Sequence, residues 1–114
     1  MNRIITVIGS SNTDMVVKSA RLPAAGETII GVEFGMYPGG KGANQAVAGA
    51  RLGGNVHFVG KRGNDIFGTQ ALSLLTNERI DITHFSTDPD LPSGVALITV
   101  DEKGENCIVV ASRM

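Results

Sequence analysis

Two short clusters hold the residue types that can grip a ligand: Asn12 and Asp14, which follow Gly9-Ser10-Ser11, and the run Gly39-Gly40-Lys41-Gly42-Ala43-Asn44. In the second run the glycines let backbone N–H groups at a helix start approach a bound oxygen, and Lys41 and Asn44 add side-chain donors. Gly35, Gly40 and Lys41 also fit the first seven positions of the phosphate-binding pattern G-x-x-x-x-G-K-[ST]. The eighth position requires a hydroxyl for magnesium, and Gly42 offers no side chain, so an ATP-cradling loop is disfavoured. Hydroxyls of a polyol suit the same donors better. Donors such as Lys41 and carboxylate acceptors such as Asp14 converge on a sugar, and each charge-assisted hydrogen bond contributes about 1.5–3 kcal/mol.

These clusters need elements to hold them. The apolar run Ile4 to Ile8 reads as a strand buried on both faces that ends in the polar loop Gly9-Ser10-Ser11-Asn12. Met15 to Val17 reads as a second strand, which puts Asn12 and Asp14 in the connection, facing a crevice at the carboxyl end of the first. Turn residues from Pro23 to Thr28 precede Thr28 to Met36, an alternating stretch that suggests two strands joined or bent at glycine. Ala43, Ala46, Val47 and Ala50 recur at helical spacing up to a stop at Gly53-Gly54. Their small side chains let that helix lie close to its neighbours.

Val56 to Val59 gives a further strand. Asp65 is placed to N-cap a helix with the buried stripe Phe67, Ala71, Leu74 and Leu75, ending near Arg79. A short extended piece spans Thr83 to Ser86, and Gly94 to Val100 turns through Asp101-Glu102-Lys103-Gly104 into Cys107 to Ala111 as a hairpin. Strands alternating with helices imply an α/β fold with a mostly parallel sheet flanked by helices and extra strand pairs projecting as a lobe.

Composition narrows the function classes. The 114 residues (11.9 kDa) suffice for one modest domain. Ten basic residues against eleven acidic ones give a net charge of −1, which leaves no basic excess for nucleic acid. No stretch approaches the roughly 20 apolar residues of a membrane span. The run Ile4 to Ile8 is too short for a signal-peptide core, so a cytoplasmic location is expected. The single Cys107, among Ile108, Val109 and Val110, reads as a buried thiol.

Other chemistry-bearing residues are read as structural. His57 and His84 have no partner at metal-ligand spacing, so no metal site is expected. Met15, Phe34 and Met36 read as packing residues and Tyr37 likewise. Gly63, Asp65 and Gly68 read as an N-cap with flanking glycines.

Gly9-Ser-Ser-Asn-Thr-Asp14 and Gly39-Gly-Lys-Gly-Ala-Asn-Gln-Ala46 resemble the paired N-terminal signatures of the ribokinase and phosphofructokinase-B family of sugar and nucleoside kinases. Further matches are Pro23 to Thr28, Gly63-Asn-Asp-Ile-Phe-Gly68, Gly94-Val-Ala-Leu-Ile98 and Gly104-Glu-Asn106, so the resemblance covers almost the whole chain. It implies a ribokinase-like fold in which residues 1–114 form the N-terminal sugar-binding part, with lid strands near 15–37 and 94–111. It also implies that Asn12 and Asp14 bind sugar hydroxyls, that Gly40, Lys41 and Asn44 complete the grip, and that Ala96 and Ile98 make apolar contacts.

The implied full-length activity is ATP- and Mg2+-dependent transfer of a phosphoryl group to the primary hydroxyl of D-ribose, with a monovalent cation such as K+ admitted by the family. Lid strands in the family also pair subunits, so a homodimer is expected. The Gly-Ala-Gly-Asp segment that holds the family's catalytic aspartate and anion hole is missing from this sequence. No catalytic residue and no ATP binding are therefore expected in this chain alone, which reads as a truncated frame. Asp14 more readily orients hydroxyls than removes a proton. Two alternatives stand beside this reading: a non-catalytic sugar-binding or dimerisation module, and a kinase for another sugar or a nucleoside.

Overall fold

The computed structural model describes residues 3–112. The elements run β1 (Ile4–Ile8), β2 (Asn12–Lys18), β3 (Glu33–Gly39), α1 (Lys41–Arg51), β4 (Asn55–Gly63), α2 (Ile66–Asn77), β5 (Phe85–Asp88), β6 (Gly94–Val100) and β7 (Asn106–Ala111). They form two sheets. A three-stranded sheet has the order β1-β4-β5, all parallel, and a four-stranded sheet has the order β3-β2-β6-β7. In the second sheet β2 and β6 are parallel, while β2-β3 and β6-β7 are antiparallel. Three of the five strand pairings are parallel, in agreement with the expected α/β class.

The core lies under the three-stranded sheet. Val56 and Phe58, alternate residues of β4, project from one face and pack with Ala43 and Ala46 of α1, Leu75 of α2, and Ile80 and Phe85. Phe58 and Phe85 meet edge to face at 5.3 Å between ring centres. Both helices therefore cover the same face. The expectation that β1 is buried on both faces is overturned: it is an edge strand, with Ile4 58 % and Ile8 78 % exposed. Only the side chains that alternate toward α1, such as Val7, pack against the core cluster.

Both helices end in the same motif. At α1, Gly53 N–H donates to Ala50 O and Gly54 N–H to Gly49 O, with Gly53 at φ 93°. At α2, Arg79 N–H donates to Thr76 O and Ile80 N–H to Leu75 O, with Arg79 at φ 61°. The helix thus closes at Asn77, and Arg79 occupies the left-handed position that usually selects glycine.

Four local expectations are corrected. Asn12 and Asp14 lie inside β2, not in a connection, because pairing with β3 and β6 extends the strand back to Asn12. Thr28–Val32 form no strand, and the expected strand pair reduces to β3 alone. That irregular stretch is pinned at its start, where the Arg21 guanidinium holds the Glu27 carboxylate at 2.5 and 2.8 Å. With the Ala24 N–H, it lowers the Glu27 pKa to about 2. Cys107 is exposed, not buried, because nothing among the described residues covers β7. His84 sits in the turn before β5. The β6-β7 hairpin and its turn at Gly104 (φ 80°) are as expected.

Candidate functional site

The carboxyl end of β1, the middle of β4 and the start of β5 border a cleft of about 470 Å³ whose lining includes Gly9, Ser10, Asn12, Gly60, His84 and Ser86. Ligands gather at this end of parallel strands because loops and helix starts converge there. The chain leaves β1 through Gly9-Ser10-Ser11 and enters β2 at once, so Asn12 belongs to the cleft and to the second sheet together.

Alternation along β2 places Asn12, Asp14 and Val16 on one face of the second sheet. Asn12 stands opposite Gly39 on β3 and Gly94 on β6, Asp14 opposite Tyr37 and Ala96, and Val16 opposite Ile98. Four sequence-derived site residues, Asn12, Asp14, Ala96 and Ile98, therefore share one face of one sheet. The two polar side chains lie flat over glycines. A Cβ at Gly39 would stand 2.6 Å from Oδ1 of Asp14, and one at Gly94 would overlap Oδ1 of Asn12. Both side chains are half-buried, and neither makes a hydrogen bond or ion pair among the described residues.

Gly40 connects β3 to α1 and serves as the helix N-cap at φ 96°, with no side chain bonding to the first turn. Its own Cβ would stand 2.5 Å from Ser10 O, so a side chain is excluded by shape as well as by backbone angle. Two residues on, a Cβ at Gly42 would lie 2.7 Å from the Cα of Gly9, and Ala43 N–H donates to Ser10 O at 3.0 Å. The start of α1 is thus pressed directly against the end of β1. Lys41 is exposed and has no ion-pair partner among the described residues. Asn44 is exposed too, and lines a separate depression with Val47, Arg51 and Leu74. Gly40 and Lys41 are brought next to Asn12 through the β2-β3 pairing; Asn44 stands one helical turn further on.

Sequence reasoning missed two participants. Gly9, read in the sequence only as the first residue of the polar loop and of the Gly9-to-Asp14 signature, is needed for the approach of Gly42. Ser93 had no signal at all: its N–H donates to Oδ2 of Asp65 at 2.9 Å, its hydroxyl to Oδ1 at 2.7 Å, and it accepts from Gly63 N–H at 2.8 Å. Asp65 also caps α2 by accepting from Gly68 N–H at 2.8 Å, as expected of it. Burial pushes the Asp65 pKa up, but the Ser93 N–H and hydroxyl with the Gly68 and Phe67 N–H groups outweigh it, and the carboxyl titrates below its ordinary range.

Among the described residues, no group of three or more His, Cys, Asp or Glu could hold a metal ion, and no helix is long and apolar enough to cross a membrane. The donor set at the start of α1 likewise lacks the hydroxyl that a nucleotide-bound magnesium would need, since Gly42 stands there.

The chain is 48 % identical over 108 residues to the ribokinase of Bacillus subtilis, covering 95 % of this chain and 36 % of that protein. It is 39 % identical over 106 residues to the deoxyribokinase of Salmonella typhi, covering 93 % and 35 % respectively. The structure superposes with a TM-score of 0.88 on that of Arabidopsis thaliana ribokinase complexed with ribose and ATP, at 34 % identity, covering 97 % of this chain and 36 % of the other. This chain therefore spans about a third of the length of the relatives it matches. The profile of the pfkB family carbohydrate kinases matches residues 2–113, nearly the whole chain, and the chain belongs to the pfkB family of carbohydrate kinases.

Proposed function

We propose that this chain carries the sugar-gripping part of a ribokinase, in which Asn12 and Asp14 bind hydroxyls of D-ribose and Gly40, Lys41 and Asn44 supply further donors. Ala96 and Ile98 provide the apolar floor beside them, and the four-stranded sheet serves as a lid. The observation that carries this reading is the pair Asn12 and Asp14, half-buried side by side, laid over Gly94 and Gly39 and bonded to no group among the described residues. A polar side chain held in this way contributes nothing to the fold that water would not also offer, whereas hydroxyls arriving in the cleft give it fixed partners.

In a protein of the relatives' full length, the ribose primary hydroxyl would attack the γ-phosphorus of ATP, with ADP as leaving group, in a Mg2+-assisted transfer. A monovalent cation such as K+ would belong to that longer protein too. The residues described here take the positioning share of that reaction. Titration calorimetry of this chain with D-ribose tests the reading: heat of binding is expected for the native chain, and Asp14→Ala should weaken it about tenfold or more. Equal ribose affinity in the variant would refute it. Running 2-deoxyribose beside ribose separates the two sugar classes named among the relatives.

A second reading, pairing of two copies through the lid strands, is favoured by Phe34 at 62 %, Leu97 at 54 % and Val109 at 68 % exposure on one face of the sheet. Sedimentation that stays monomeric at every concentration would overturn it.

A further inference from the structure

We propose that Asp65 is a positioning residue for the sugar site, a latch that holds the start of β6 beneath Asn12 in addition to capping α2. The proposal rests on the sugar-site reading above for its purpose, but the latch itself stands on geometry. Ser93 is 28 residues away from Asp65 in sequence, and receives both carboxylate oxygens: Oδ2 accepts from its N–H at 2.9 Å and Oδ1 from its hydroxyl at 2.7 Å. The hydroxyl in turn accepts from Gly63 N–H at the end of β4, at 2.8 Å. These three are the only side-chain hydrogen bonds, among the described residues, that tie the parallel body to the start of β6. The joint is close-packed, since a Cβ at Gly63 would overlap Ser93 N and one at Gly68 would stand 3.1 Å from Ser93 Oγ.

The joint bears directly on the site. Ser93 precedes Gly94, which stands opposite Asn12 in the β2-β6 pairing and lies under the Asn12 carboxamide, and Ala96 stands opposite Asp14. Any displacement of Ser93 therefore moves the glycine under Asn12 and the strand paired beside Asp14. A cap alone needs one oxygen, and Oδ1 provides it to Gly68 N–H. That cap does not need the second oxygen, which accepts from Ser93 N–H at 2.9 Å.

The two roles can be separated by one atom. Asp65→Asn keeps Oδ1 and remains a strong N-cap, but places an amide NH2 against Ser93 N–H, donor facing donor. Hydrogen exchange followed residue by residue on the 114-residue chain is expected to quicken about tenfold across residues 93–96, as loss of one charge-assisted hydrogen bond implies. Exchange across residues 69–75 of α2 should stay within about twofold of the native chain, because the cap survives. Ser93→Ala, which leaves Asp65 and the cap untouched, should loosen the same segment and guards against a variant that simply fails to fold.

Ribose calorimetry on Asp65→Asn should show affinity lowered about fivefold, less than loss of a direct contact. The latch is overturned if residues 93–96 exchange as in the native chain, or if they and α2 quicken by one common factor. Its positioning role is overturned if the segment loosens as expected while ribose affinity is unchanged. If the native chain binds no ribose at all, the sugar reading has failed, and the exchange pattern alone upholds or overturns the latch.

Discussion

The two helices of this chain begin in segments that look alike on paper, and the structure treats them in opposite ways. Both are flanked by glycines, Gly39-Gly40-Lys41-Gly42 around the start of α1 and Gly63 to Gly68 around the start of α2. At α2, Asp65 caps the first turn and ties it to Ser93 and through it to Gly63, so that a half-buried carboxylate and four neighbouring groups are mutually satisfied. At α1 the cap is a bare glycine with no side chain offered to the first turn, and the carboxylate of Asp14 lies over Gly39 with no partner among the described residues. At α1 an uncapped helix start lies beside polar groups with no partner among the described residues, whereas at α2 the helix start is closed into a joint by its own side chains. The lesson is that glycine-rich helix entrances divide by what the neighbouring carboxylate does, which no local pattern reveals.

The contrast can be attacked first at its closest contact. Gly42→Ala should destabilise the chain by about 3 kcal/mol, because the added methyl meets the backbone of Gly9 and neither side has a flexible group to yield. Denaturant unfolding measures it, and a loss well under 1 kcal/mol would show that α1 can move off β1 freely.

Acid should act next, at the closed entrance. The Asp65 carboxyl is held below its ordinary range in the folded chain, so the unfolded chain takes up its proton first as pH falls. Its contribution is therefore complete above the unfolded value near 3.8 and disappears as pH drops through the lowered folded value. The stability difference between the native chain and Asp65→Asn should be flat from about pH 7 to pH 5 and shrink toward pH 2. A difference that does not change over that range would mean that the carboxylate charge adds nothing to the joint.

The smallest effect lies at the other end of α2. Arg79→Gly should stabilise the chain by about 0.5–1 kcal/mol, since glycine adopts the left-handed conformation at that position without the penalty a Cβ brings, as Gly53 already does after α1. Thermal unfolding checks it. A lower midpoint would mean that the Arg79 side chain makes a contribution larger than its backbone strain.

Much of the candidate site was legible in the residues. Asn12, Asp14, Gly40 and Lys41 were picked out by type and spacing alone, and the resemblance added Ala96 and Ile98. The hairpin β6-β7, the alanine stripe of α1 and the cap at Asp65 were equally plain, because each depends on neighbours within a few positions. The errors share one cause. β1 reads as a strand covered on both faces because its residues are apolar throughout, and Cys107 reads as buried because its neighbours are; composition reports what a segment could bury, while burial needs something on the other side. Thr28 to Ile30 have strand-forming residues but no partner strand, and the Ser93 latch joins positions 28 residues apart that no local pattern links.

By itself the sequence determined which residues carry donors and acceptors fit to grip a ligand and most of the segments that would be strand or helix, because side-chain chemistry and short-range periodicity are properties of neighbours along the chain. Only the tertiary structure decided that Asn12 and Asp14 share a strand face over two glycines, that Gly9 must yield to Gly42, and that Asp65 reaches across to Ser93. Those facts are set by strand register and close packing between distant segments, and register is fixed only when whole sheets assemble.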